Sequence, residues 1–183
     1  IQYINKTVKS ISREIERLSF FSKTLSAMIL PVKQKFKKID LSQLVEQVVE
    51  NFRKIGILKY YKIEEEYSEN NCSIRGVNGL LELVFESILV NSHKLMQGTG
   101  TIKIITRREN KFMECEISNT GYRMPEESLN KLQEPSFIME EESIDLGLYT
   151  IKNIINFHRG YLKVKNNGKN ETTFIIGLPV LKN

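Results

Sequence analysis

The chain has 183 residues, 40% of them hydrophobic and 27% charged, ordinary material for one packed core with an attached element. It holds no run of about eighteen apolar residues, so no part of it reads as a membrane-spanning helix. Two cysteines, Cys72 and Cys115, lack CxxC or histidine-rich spacing, which excludes a disulfide framework and suits a reducing, cytoplasmic setting.

The first element is the most periodic. Ile4, Val8, Ile11, Ile15, Leu18, Ser22, Leu25 and Ile29 follow one another in steps of four and three. Apolar residues in that rhythm form an a/d seam, and the seam predicts a dimerisation helix over residues 1–30 that pairs two copies of the chain. Phe20 and Phe21 widen the seam toward a bundle, and Pro31 stops the helix. The plainer reading is an amphipathic helix lying on its own domain, but about four heptads exceed what one small domain covers. A start at Ile1-Gln2-Tyr3 is neither a signal peptide nor an initiator, so a longer chain with further parts upstream is expected.

Residues 31–39, with Lys33, Lys35, Lys37 and Lys38, read as a basic, solvated linker. The net charge of +5 is of this dispersed kind, and no nucleic-acid partner is expected from it. A domain over residues 40–183 follows. Asp40 with Gln43 three residues on is a capping-box pattern, and Leu41, Leu44, Val45, Val48, Val49 and Phe52 form the stripe of the helix it starts. Lys62–Tyr67 and Cys72–Arg75 read as strands, Gly76–Gly79 as a break, and Leu80–Met96 as a strongly apolar helix. Thr101–Arg108 and Phe112–Ser118 flank the Glu109-Asn110 turn as a hairpin. After a loop from Asn119 to Pro125, the spacing predicts helices over Glu126–Gln133 and Gly147–Phe157, separated by an acidic stretch. Strands near Tyr161–Asn166 and Thr172–Leu178 close the chain. The expected fold is α+β: a two-layer α/β sandwich with a mixed, mostly antiparallel sheet and helices on one face, preceded by the long dimerisation helix.

Five segments carry chemistry. They are Asn91-Ser92-His93-Lys94, Asn119-Thr120-Gly121-Tyr122-Arg123, Gln133-Glu134-Pro135-Ser136-Phe137, Asp145-Leu146-Gly147-Leu148, and Thr172-Thr173-Phe174 leading to Gly177-Leu178-Pro179. In this order and spacing, from about Asp40 to Pro179, they resemble the asparagine box, two glycine boxes, phenylalanine box and closing strand of the ATP-binding catalytic domain of sensor histidine kinases. The resemblance implies a site for ATP and Mg2+ built from Asn91, Lys94, Asn119, Gly121, Gly147, Leu148 and Thr172, with Asn91 as the metal ligand. It also implies transfer of the γ-phosphoryl group to a histidine upstream, a response regulator as partner, and a homodimer through the first helix. Ser12-Arg13-Glu14-Ile15-Glu16-Arg17-Leu18 resembles the second half of the family's dimerisation hairpin. The implied location is cytoplasmic, as a soluble protein or as the cytosolic part of a membrane-bound sensor.

The residue types make sense for that chemistry. An amide oxygen at Asn91 can ligate magnesium without adding negative charge beside a triphosphate, and Lys94 lies on the same helical face. The bland alternative is that Asn91 ends a core helix and Lys94 is solvated. Asn119 stands where the family has an aspartate that accepts from the adenine amino group; its amide oxygen can accept that bond too. Arg123 replaces the family's second glycine, where it either crowds the pocket or reaches for phosphate. Ser143, Asp145 and Glu171 replace further glycines. Ser87, four before Asn91, leaves no water-activating carboxylate at that position, because the adjacent Glu86 points about 100° away around a helix. Neither His93 nor His158 sits in a phosphoacceptor pattern, so no catalytic residue is expected within the chain. A degenerate relative, serving as a dimerising scaffold or regulator-docking module with weak or no ATP binding, is the alternative reading. A regulator that uses the nucleotide only to shift conformation is a third.

Overall fold

The computed structural model describes residues 35–69, 73–96, 98–133, 145–168 and 170–181. The predicted helix over 1–30, Cys72, the phenylalanine box beyond Gln133, the acidic stretch and Ser143 lie outside the described residues. The described elements fall within one compact unit, Phe36–Asn183. Its order is β1 (Lys37–Asp40), α1 (Leu41–Lys54), β2 (Tyr61–Glu66), β3 (Ser73–Gly76), α2 (Asn78–Leu95), β4 (Gly100–Glu109), β5 (Phe112–Thr120), α3 (Glu126–Gln133), α4 (Asp145–Phe157), β6 (Tyr161–Asn166) and β7 (Glu171–Pro179).

Five strands form one sheet in the order β2-β4-β5-β7-β6. Only β2 and β4 run parallel; the other neighbours are antiparallel. One face carries Ile102, Ile104, Met113, Cys115, Ile117, Phe174, Ile176 and Leu178, all buried. Two helices reach down to that face through hydrogen bonds: Ser42 of α1 bonds with Thr106 at 2.7 Å, and Ser92 of α2 donates to Asn119 at 3.4 Å. α2 is apolar on nearly every side, with Leu81, Phe85, Ile88 and Leu89 fully buried, as befits a helix packed between its neighbours and a sheet. The opposite face is polar. There Arg107 pairs with Glu114 and Glu116, Tyr161 donates to Glu114, and Ser118 bonds with Thr173. This is the mixed, mostly antiparallel sandwich with helices on one face.

Several boundaries differ from the sequence reading, three of them near the site or the basic stretch. Lys37–Ile39, read as the end of a linker, pair antiparallel with β3 as a two-stranded ribbon. Phe36, beside them in the basic stretch, stacks on Phe157 and His158 at centroid distances of 5.2 Å. Asn119 and Thr120, read as loop, belong to β5, because β7 continues to pair with them through Thr172 and Glu171. α4 begins at Asp145, two residues before Gly147. The cap of α1 is as expected: Asp40 accepts the Gln43 N–H at 3.1 Å, satisfying one of the first-turn donors.

Candidate nucleotide site

The last turn of α2 carries Asn91 and Lys94, and Met96 ends the helix before a turn through Gly98, whose φ of +95° suits glycine. Lys94 is exposed, and Asn91 is half-buried. The Asn91 Nδ2 atom is itself buried and has no hydrogen-bond partner. One residue on, about 100° around the helix, Ser92 is fully buried and faces the sheet, where it meets Asn119. Asn119 is 0% exposed, and its Nδ2 also lacks a partner. Among the described residues these are the two buried side-chain polar atoms left unsatisfied. Leaving a buried donor unmade costs roughly 1–3 kcal/mol, so two of them on adjacent elements single this place out as the candidate site.

Asn119 pairs in register with Thr172 at the end of the sheet. Just beyond, Gly121 adopts φ +89° and donates its N–H to the Asn170 carbonyl at 2.8 Å. A Cβ there would lie 3.9 Å from the Met96 Cα, which places Gly121 beside the end of α2. The loop after it is held by Asn166, whose Oδ1 accepts the Met124 N–H at 3.1 Å while its Nδ2 donates to the Met124 carbonyl at 2.9 Å. Thr172, 1% exposed, also accepts from Met124 N–H at 3.1 Å, and its hydroxyl lies 3.1 Å from both the Tyr122 carbonyl and Asn166 Oδ1. Its hydroxyl therefore shapes the loop that follows β5. Arg123 neither crowds the site nor points into it: Nη1 donates to the Gly168 carbonyl at 2.9 Å, and Nη2 pairs with Glu126 at 2.6 Å.

The direction of α4 follows from His158 just past its end. His158 Nε2 accepts the Val77 N–H at 3.0 Å, at the N-cap of α2. The end of α4 thus lies beside the start of α2, and the two helices pack against each other. The first turn of α4, with Gly147 and Leu148, lies at the opposite end of that helix from this contact. Gly147 sits in that first turn, and Leu148 is 1% exposed, its side chain part of the core. The first-turn amides have no partner within the helix, which makes this terminus suited to an anion.

The two histidines serve the scaffold. His93 Nδ1 hydrogen-bonds the Tyr61 hydroxyl at 2.9 Å, tying α2 to β2. His158 donates through Nδ1 to the Ile154 carbonyl at 2.7 Å while Nε2 accepts from Val77; burial lowers its pKa, opposed by that carbonyl. Ser87 is buried and donates to the Leu83 carbonyl, an ordinary back-bond within a helix.

Comparisons with known proteins bear on the family and the fold. The profile of the histidine kinase-, DNA gyrase B- and HSP90-like ATPases matches residues 76–182. The chain belongs to this family. Sporulation kinase C of Bacillus subtilis (strain 168) is 27% identical over 171 residues, which are 93% of this chain and 40% of that protein. The chain thus spans less than half of that relative's length. The nucleotide-free catalytic domain of histidine kinase ThkA superposes with a TM-score of 0.68 at 22% identity, over 80% of this chain and 97% of that one. ThkA in complex with the response regulator TrrA gives 0.73 at 21% identity, over 96% and 51%. Full-length ShkA in complex with AMPPNP gives 0.75 at 15% identity, over 100% and 39%. Within the ATPase family, the described unit has the fold of the histidine kinase catalytic domain.

Two residues of the site escape sequence reasoning. Ser92 and Asn166 lie far from their partners in the chain, and only the closing of α2 and β6 onto the sheet end reveals their roles. The one signal for Ser92 was its position one residue after Asn91, turned toward the sheet.

Proposed function

We propose that this chain is the catalytic part of a protein-histidine kinase that binds ATP with magnesium. It would transfer the γ-phosphoryl group to a histidine on a segment outside residues 1–183. The observation that carries the proposal is the pair of buried, unpartnered amide nitrogens at Asn91 and Asn119, on elements joined by the Ser92–Asn119 bond and close to Gly121. A fully satisfied core would need neither; a bound nucleotide gives both buried amides a partner.

The donor set fits magnesium. Among the described residues no group of three or more His, Cys, Asp or Glu is placed to hold a metal, and a magnesium that takes its other ligands from phosphates and water needs only the amide oxygen of Asn91. Such an ion would neutralise the charge that develops on the transferring group. The chain's own residues do the rest. Lys94, one turn along from Asn91, offsets phosphate charge; the first-turn amides of α4 orient the phosphates; Asn119 fixes the base. No carboxylate stands where Ser87 does, so the site has no base there to activate water and suits transfer to a presented acceptor rather than hydrolysis.

The partners follow the same reading. The heptad seam of residues 1–30 pairs two chains, and, as ThkA was solved with TrrA, a response regulator receives the phosphoryl group. The test is a titration of the chain with a fluorescent ATP analogue, with and without magnesium. Magnesium-dependent binding that weakens at least about tenfold in Asn91→Ala is expected, since one metal contact and one buried hydrogen bond are removed together. Absence of binding at millimolar ligand, on the order of a weak fragment's affinity, would replace the kinase reading with that of a dimerising docking module.

A further inference from the structure

Ser92 and Asn119 form a buried pair whose hydrogen-bonding character differs from that of a carboxylate. Asn119 is wholly buried, so whichever amide end meets the base is stripped of water, and a mismatched partner there is strongly rejected. As the structure stands, the Ser92 hydroxyl donates to Asn119 Oδ1 at 3.4 Å and Nδ2 is the unpartnered end. A free N–H donor matches an acceptor, such as the keto oxygen on C6 of a 6-oxopurine. With the amide turned over, Oδ1 faces the base and accepts from the amino group on C6 of a 6-aminopurine. A hydroxyl is both donor and acceptor, so Ser92 then accepts from Nδ2 and remains bonded in either state. The last torsion of asparagine is broad and close to two-fold, which leaves both orientations accessible. The neighbours do not lock the amide either: Ile117 and Ile102 are apolar, and the Thr172 hydroxyl is held by Tyr122 and Asn166.

We propose that the Ser92–Asn119 pair makes the base position ambivalent, so that the site accepts a 6-oxopurine nucleoside triphosphate as well as ATP. The inference rests on the reading that a purine nucleotide occupies this site. An aspartate in the place of Asn119 can only accept, and would set two acceptors against each other when the base carries a C6 keto group.

The experiment is a titration of the full chain, in magnesium, with ribose-labelled fluorescent ATP and ITP, for the native protein and for Asn119→Asp. The native protein is expected to bind the two within about fivefold of each other, and Asn119→Asp to favour ATP by at least about tenfold more than the native protein does, the direction set by a desolvated carboxylate facing a keto oxygen. A native preference for ATP above about fivefold, or an unchanged ratio in Asn119→Asp, overturns the inference while leaving ATP binding intact. If neither nucleotide binds the native protein, the ATP reading itself falls and this one with it. The native ratio decides the matter even where Asn119→Asp proves unstable.

Discussion

Arg123 illustrates how a side chain's partners, rather than its position in a motif, decide its role. It replaces a glycine of the family pattern, yet its guanidinium is held at the surface by the Gly168 carbonyl and Glu126, half-exposed and away from Asn119. Arg123→Ala is therefore expected to leave nucleotide affinity within about twofold and to lower stability by under about 1 kcal/mol, as for other exposed pairs. A titration and a thermal melt check both; a loss of affinity of tenfold or more, the size of a lost phosphate contact, would return the guanidinium to the site. The residue types of Asn91, Lys94, Asn119 and Gly121 were legible in the sequence because each stands in a short local pattern. The role of Ser92 was not, because its bond to Asn119 joins positions 27 apart, beyond the reach of a short local pattern. Distance hides the partners of Thr172 as well: its hydroxyl, among the residues expected at the ATP site, braces the loop from Tyr122 to Met124.

Elements with a period were legible, and those without one were not. The alternation of Ile102, Ile104 and Thr106, and the stripe of α1, predicted their strand and helix because water and core divide the residues so cleanly there. β1 offers only Ile39 as a buried residue among lysines, so it read as linker; long-range pairing with β3 makes it a strand. α4 depends on a contact of this kind at its end. Its exit is fixed to the start of α2 by His158, which must be neutral for Nε2 to accept the Val77 N–H. Burial places the folded pKa of His158 below its ordinary value. The unfolded chain then binds the proton more readily, so the contribution is complete above the unfolded pKa, about 6.5, and is lost as pH falls from there toward the folded value. Unfolding free energy should fall between about pH 7.5 and pH 5.5, by at most about 1.4 kcal/mol per pH unit from this group, and the melting temperature should drop with it. His158→Gln, whose amide oxygen can accept the same N–H, should flatten that slope. An unchanged pH dependence in the variant would show that other groups set it.

At the scale of the whole molecule, phosphoryl transfer to a protein histidine sets two demands that one rigid unit does not meet. The nucleotide must be held tightly, and the reacting phosphate must be brought to an acceptor on a different element, where positioning supplies much of the rate. The described unit, from Phe36 onward, holds every residue proposed for the first demand and no phosphoacceptor histidine. The seam of residues 1–30 answers the second by our reading, pairing two chains so that acceptor helices and catalytic units share one assembly. The two parts are therefore expected to separate in experiment. Residues 36–183 alone should be monomeric by light scattering and bind labelled ATP within about twofold of the full chain, since no proposed nucleotide contact is removed. The full chain should be a dimer whose dissociation follows concentration by mass action. Replacing Ile15 and Leu18, the two seam positions nearest its middle, by lysine should yield the monomer without loss of nucleotide binding, because a charge in an a/d seam is desolvated opposite its own copy. A dimer that survives both the truncation and the double substitution would place the pairing surface within the catalytic unit and remove the seam from the mechanism.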